Sequence, residues 1–290
     1  MDLGPVGLWT FALRRLEAAE LSETVAELET LGYGAIWFPA GPSATAFDHA
    51  SALLESSRAL VVATGIVSIW GSDPAVVGER SRALHSAHGG RLLLGLGVSH
   101  PELVDRKEAG RYQRPVEAMT AFLDALDQAG AGGGRDQRVL AALGPRMLRL
   151  AAESSLGAHP YFVPVEHTAM ARETLGPSAL LAPEQAVVLE ADPAAAREAA
   201  RAHMQGYLQL RNYAGNLRRL GYSDDDLSAP SDRLVDAIVA WGDEEAIARR
   251  VREHREAGAD HVCLQVLGRT AAEAGAVPMD EWRRLAGAFA

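Results

Sequence analysis

The stretch VVATGIVSIWGSDPAVVGERSRALHSAHGGRLLLGLGVSH (61–100) holds one complete strand–helix–strand unit. Its ends belong to two short apolar runs of strand length, ALVVATGIV (59–67) and RLLLGLG (91–97). Between them, Asp73-Pro74 starts a helix: the carboxylate can cap free N–H groups, and proline at the first helical position lacks an N–H that would have no partner there. The Gly90-Arg91 pair then leads into the next strand. A strand that leaves through a helix and returns as a strand is the repeating unit of a parallel sheet.

The same alternation continues in both directions. Apolar runs stand at VGLW (6–9), GAIWF (34–38), RVLAAL (138–143), AHPYFV (158–163), QAVVLE (185–190) and HVCLQVL (261–267), which with the two above makes eight strands. Helix signals fall between them. Ser22 is placed to cap a helix with Val25, Leu28 and Leu31 on one face and Gly32 at its end. Asp192-Pro193 repeats the Asp-Pro start, and Asp243 precedes a helix carrying Ile247, Val251 and His254 on one side, ended by Gly258. Eight βα units predict an α/β chain folded as a (β/α)8 TIM barrel, a single domain over 1–290. The stretch 204–241 adds helices before the last βα unit and reads as an insertion packed on the barrel. The tract AGAGGGRDQ (129–137) reads as a flexible surface loop.

With 290 residues, 48% of them hydrophobic, the chain can bury one sizeable core. A net charge of −10 with no basic block excludes nucleic acid as a partner, because such binding rests on phosphate neutralisation. No apolar run reaches membrane-spanning length and the N-terminus lacks a signal-peptide pattern, so a soluble, cytoplasmic protein without membrane partners is expected. Cys263, the single cysteine, cannot form an internal disulfide and lies in an apolar run as packing. Lys107 is the only lysine and sits in the polar VDRKEAG loop, which removes Schiff-base chemistry. No His-x-His pair offers metal ligands, so no metal is expected. Glu166 and Glu190 are the only acids at strand ends, thin support for a glycosidase.

In a barrel the active site lies at the carboxyl ends of the strands. There, LGPRML (143–148) joins a strand to a helix start and offers Gly144, free N–H groups and the guanidinium of Arg146 to a phosphate. GLGVSH (95–100) lacks the last glycine of a dinucleotide fingerprint and puts His100 just past a strand end, where an imidazole can exchange a proton or bind a substrate. His159 and Tyr161 alternate along the sixth strand, His159 as a packed, hydrogen-bonded residue, and His167 follows that strand. Trp37, Phe38, Ile69 and Trp70 suggest a largely apolar pocket, although core packing accounts equally well for the first two.

With these residues in place, the chain resembles the luciferase-like flavin and deazaflavin oxidoreductases along nearly its whole length. Segment 61–100 is the most specific part, followed by AALGPRMLRLAAESSLGAHPYFVPVEHT (141–168) and WGDEEAIARRVREHREAGADHVCLQVL (241–267), which are similar to the deazaflavin branch. The resemblance implies coenzyme F420, with FMN the alternative, lying along the barrel mouth. It implies a cis peptide at Gly65-Ile66 against the ring, Ser68, Val98 and Ser99 beside it, and Leu143, Gly144, Arg146 and Met147 at the phosphate. It also implies hydride transfer with a small organic substrate, with His100 the first choice for the proton and Tyr161 or His167 the second. Two features depart from the sugar-phosphate dehydrogenases of the family: Pro39-Ala40 replaces an Asp-His pair, and His100 stands in place of a catalytic glutamate. That leaves an FMN-dependent monooxygenase and a non-catalytic cofactor-binding barrel as alternatives. Members of the family often pair through outer helices, so a homodimer through the alanine-rich helix 73–88 is a further expectation.

Overall fold

The computed structural model describes residues 1–41, 43–129, 134–269, 273 and 275–289, with Ser43 and Ala44 in backbone only. Among these residues the strands are β1 (Val6–Trp9), β2 (Ala35–Phe38), β3 (Val61–Thr64), β4 (Val67–Ser68), β5 (Leu92–Gly97), β6 (Arg138–Leu140), β7 (Gly157–Ala158), β8 (Leu180–Leu181), β9 (Glu184–Val188), β10 (Val239–Trp241) and β11 (Val262–Val266). Every strand pairing is parallel. The hydrogen-bonded path runs β10-β9-β11-β1-β2-β3-β5-β6-β7-β8, with β4 beside β5. Only Ala182-Pro183 separates β8 from β9 along the chain.

Nearly every strand residue is buried, as expected where helices cover a parallel sheet. The two faces still separate by alternation. Trp9, Ala35, Trp37, Val61, Ala63, Leu93, Val139 and Cys263 form one apolar cluster inside the curve of the sheet. Their neighbours Leu8, Ile36, Phe38, Val62, Leu92, Leu94 and Leu140 join a second cluster with the surrounding helices. A third cluster packs the helices Pro193–Leu208, Arg211–Arg219 and Asp232–Ile238 against β9 and β10.

Local signals account for most helix starts. Asp73 accepts from the N–H groups of Ala75 and Val76, Asp192 from Ala195 and Asp243 from Ala246, each cap contributing about 1 kcal/mol. Ser22 is a correction: it lies inside the helix Ala18–Thr30, because the good helix formers before it extend the helix back to Glu17, and Leu21, Val25 and Leu28 supply the buried face. β10 was not expected either. Its three residues follow the helix ending at Ile238 directly and look like more of the same apolar face until pairing with β9 claims them. Of the sixth predicted strand, 158–163, only Ala158 belongs to a strand, Gly157–Ala158, since Pro160 has no N–H to donate and Phe162 adopts a left-handed φ of 59°. Of the predicted loop 129–137, residues 130–133 lie outside the described residues, and Arg135–Gln137 forms a 3-10 turn. Among the described residues no helix is long and apolar enough to cross a membrane.

Glu184 opens β9 fully buried. Its Oε2 accepts from the Phe162 N–H at 3.1 Å, and its Oε1 has no partner among the described residues. Burial pushes its pKa up to about 8 from the ordinary 4.5 of a glutamate. The folded acid therefore keeps its proton over a range in which the unfolded chain has lost it. The sign follows: this group's contribution to stability is fully present below pH 4.5 and is lost as pH rises toward about 8. Glu184→Gln, neutral throughout, is expected to flatten that part of the profile and to melt higher than wild type at pH 8. Thermal melts of both proteins across this range check it; a variant that melts lower at pH 8 with an unchanged slope would show a stably charged carboxylate instead.

Candidate active site

The carboxyl ends of the strands surround a cavity of about 560 Å³. Trp9 from β1, Gly65 just past β3, and His159 and Tyr161 beyond β7 line it from the sheet side. His159 stacks on Trp37 with ring centroids 4.1 Å apart and planes at 19°. Its Nδ1 lies 2.7 Å from the Ala182 carbonyl, which can only accept, so the ring proton sits on Nδ1 and Nε2 is a bare acceptor. Burial holds the pKa near 4, which keeps the ring neutral. The Tyr161 hydroxyl is 2.7 Å from Gln265 Oε1 and 2.8 Å from the Tyr207 hydroxyl. One proton cannot serve both bonds, so Tyr207 supplies the second. Burial first, then the neighbouring Tyr207, Glu184 and Tyr213, hold Tyr161 well above the usual tyrosine range and keep it protonated.

One wall is built by the Gly65-Ile66 peptide, which is cis, and by Val98 and Ser99. These strand ends are tied in place: Trp70 Nε1 donates to the Val98 carbonyl at 2.6 Å, and Asn212 Nδ2 to that of Ser99 at 2.9 Å. Ser99 has a left-handed φ of 55°. His100 follows at the start of the helix Pro101–Val104, its ring 4.5 Å from that of Tyr213. Burial lowers its pKa to about 4 against the opposing pull of Glu102, and its Nδ1 is buried without a partner among the described residues.

The wall continues after β6, the strand paired to β5, as Leu143, Gly144, Arg146 and Met147, where the helix Pro145–Ser154 begins with no side-chain cap. Arg219 joins it from the helix Arg211–Arg219, and the position of a side-chain carbon on Gly144 lies 3.6 Å from its guanidinium. Arg219 is held by Asn216 Oδ1 at 3.0 Å, and partial desolvation pulls its pKa down. Neither Arg146 nor Arg219 has a carboxylate partner among the described residues, whereas Arg211 at the same mouth is paired with Glu102. An uncapped helix start with two unpaired guanidinium groups, in a chain of net charge −10, fits a phosphate group.

The chain matches the model of the luciferase-like monooxygenase family over residues 7–261. The chain belongs to that family. A Mycobacterium tuberculosis protein named coenzyme F420-dependent oxidoreductase Rv3520c is 24% identical over 146 residues, which is 50% of this chain and 41% of the relative. The fold is shared with an F420-dependent secondary alcohol dehydrogenase solved with an F420-acetone adduct, at a TM-score of 0.74, 13% identity and coverage of 98% and 97% of the two chains. It is also shared with the oxygenating constituent of a Pseudomonas putida 3,6-diketocamphane monooxygenase solved with FMN, at a TM-score of 0.68, 13% identity and coverage of 97% and 95%.

Within this family frame, the residues expected to be catalytic or to hold the cofactor line the cavity with two exceptions, whereas Trp37, Phe38, Ile69 and Trp70, read from the sequence as pocket residues, do not line it. His167 is fully buried behind the wall, its Nε2 donating to the Leu143 carbonyl at 2.9 Å. Ser68 turns the chain instead: its Oγ accepts from the Trp70 N–H, and its carbonyl from Ser72 Oγ at 2.7 Å. Trp9, Tyr207, Asn212, Tyr213 and Arg219 also line the cavity and were not singled out from the sequence.

Proposed function

We propose that this member of the family is a coenzyme F420-dependent oxidoreductase that moves a hydride between the deazaflavin and a small organic substrate in the cytoplasm. We read its architecture as a (β/α)8 barrel with a helical insertion before the last βα unit. The observation that carries the functional reading is that one cavity is lined both by the Gly65, Ile66, Val98 and Ser99 strand ends and by Arg146 and Arg219, which have no carboxylate partner among the described residues and stand at an open helix start.

When bound, the coenzyme supplies the two-electron chemistry. The chain's own residues then have separable tasks. Arg146, Arg219 and the backbone after Gly144 hold the phosphate, with Leu143 and Met147 packed beside it. Ile66, Val98 and Ser99 line the ring. Tyr112, Tyr207 and Tyr213 line the cavity and limit the water it can hold. His100, neutral at working pH and with Nδ1 unpartnered, is the group placed to take or give a proton at that atom. Tyr161 is the second such group, and its link through Tyr207 gives its proton a neighbour. His167 acts only by fixing the Leu143 carbonyl. The same cradle suits a flavin phosphate, and the likeness to the FMN-bound monooxygenase keeps an FMN-dependent reaction as the second reading.

Fluorescence titration of the apoprotein with oxidised coenzyme F420 and, separately, with FMN decides between them. Micromolar or tighter binding of F420 with FMN much weaker is the expected outcome, and preference for FMN would assign the monooxygenase branch. His100→Ala should bind F420 as wild type does and lose turnover; full turnover with binding intact would remove His100 from the mechanism.

A further inference from the structure

Two polar atoms on the sheet side of the cavity have no part in the scheme above. Trp9 Nε1 is a donor and His159 Nε2 an acceptor, and neither has a hydrogen-bond partner among the described residues. Their residues are only 4% and 1% exposed, yet both line the cavity. They also converge. A side-chain carbon built on Gly65 would stand 2.5 Å from Trp9 Nε1 and 3.3 Å from His159 Nε2, so the absence of a side chain there leaves both atoms open to a shared ligand. Each is fixed from behind: His159 by the Ala182 carbonyl and its stack on Trp37, Trp9 by Phe11 at 4.8 Å and Tyr161 at 5.0 Å between ring centroids.

A buried polar atom without a partner is costly, and two of opposite character facing one point define what removes the cost: a neutral group presenting one donor beside one acceptor. A charged ligand does not suit a neutral imidazole lone pair set next to an indole N–H. An imide does, since its N–H adjoins a carbonyl. Gly65 also adjoins Ile66 on the ring-lining wall. We propose that Trp9 Nε1 and His159 Nε2 form a donor–acceptor pair that reads the imide edge of the coenzyme's pyrimidinedione ring. The ring N–H donates to His159 and the adjacent carbonyl accepts from Trp9. This rests on the deazaflavin or flavin reading of the cavity and applies to either, because both rings carry that edge.

The test uses the wild-type protein with 5-deazariboflavin and its N3-methyl derivative, which keeps the ring and lacks the imide N–H. Fluorescence titration is expected to show the methylated compound binding about 10- to 100-fold weaker. Trp9→Phe keeps an aromatic ring but loses the N–H together with part of the buried indole's volume. It should melt somewhat lower than wild type, bind the parent compound about 10-fold weaker, and still distinguish it from the N3-methyl derivative through His159. Equal binding of the two compounds by wild type, both tight, would overturn the pair and leave the cofactor reading standing. Failure of either compound to bind, with F420 and FMN also inert, would remove both.

Discussion

Gly95→Ala should be among the most damaging single methyl additions in this chain. The added carbon would lie 1.9 Å from the Thr64 carbonyl oxygen and 3.3 Å from Ile66 Cγ2. Its obstacle is backbone on a buried neighbouring strand end, and it cannot swing aside. Thr64 is further clamped to Gly95 by two hydrogen bonds, its Oγ1 donating to the Gly95 carbonyl at 2.9 Å and accepting from the Gly95 N–H at 2.8 Å. Overpacking a core costs about 1–3 kcal/mol, and this site belongs at the top of that range. At roughly 2–4 °C per kcal/mol for a chain of this size, the melting temperature should fall by about 6–12 °C. Because Thr64 leads directly into Gly65-Ile66, the displaced wall should also lose cofactor affinity in whatever fold remains. Gly97→Ala is the control: it meets Ile66 Cδ1 and Cγ1 at 2.7 Å and Ala141 Cβ at 3.2 Å, side chains rather than backbone, so its melting temperature should fall less while binding is still impaired. Equal melting of wild type and Gly95→Ala would mean that the strands at this point sit farther apart than described.

That pair of glycines also shows what sequence can and cannot convey. The GLG run was readable as a strand entering the site, and the Asp-Pro starts at 73 and 192 were readable as caps, because each depends on residues a few positions apart. The lining residues His100, Gly144, Arg146 and Tyr161 were found by the same reasoning, since a barrel places its chemistry at strand ends. Arg219 and Asn212 were not. They lie in 204–241, where the sequence predicts helices but carries no local sign of where those helices dock. Their place over the cavity is set by the third apolar cluster, Tyr213 and Leu217 against Leu234 and Val188, whose contacts are remote in sequence. Glu184 escaped for the opposite reason: a charged residue at the head of an apolar run reads as the run's boundary, although it is the buried first residue of β9. Trp9 read as one more strand residue, and only the space beside Gly65 shows that its N–H has a use.

Arg219 is therefore the strongest test of the site that the sequence did not reveal. Arg219→Met is expected to weaken F420 binding about 10- to 100-fold, the loss of a hydrogen bond to a charged group. The residue is exposed, and Asn216 is its one hydrogen-bond partner among the described residues, so the fold should barely register the change and melting should stay near wild type. Arg146→Ala, whose guanidinium is exposed and lacks even that anchor, should cost less, because it must be ordered when phosphate binds. Two further measurements tie the loss to phosphate. Added salt should weaken wild type more steeply than the variant, since a screened ion pair is what has been removed. The deazaflavin core without its phosphate should bind both proteins alike, because the ring-lining wall is untouched. If Arg219→Met instead weakened the core and the full coenzyme equally, Arg219 would be shaping the cavity through Asn216 and the Tyr213 helix, and the phosphate would have to be held by Arg146 and the open helix start without it.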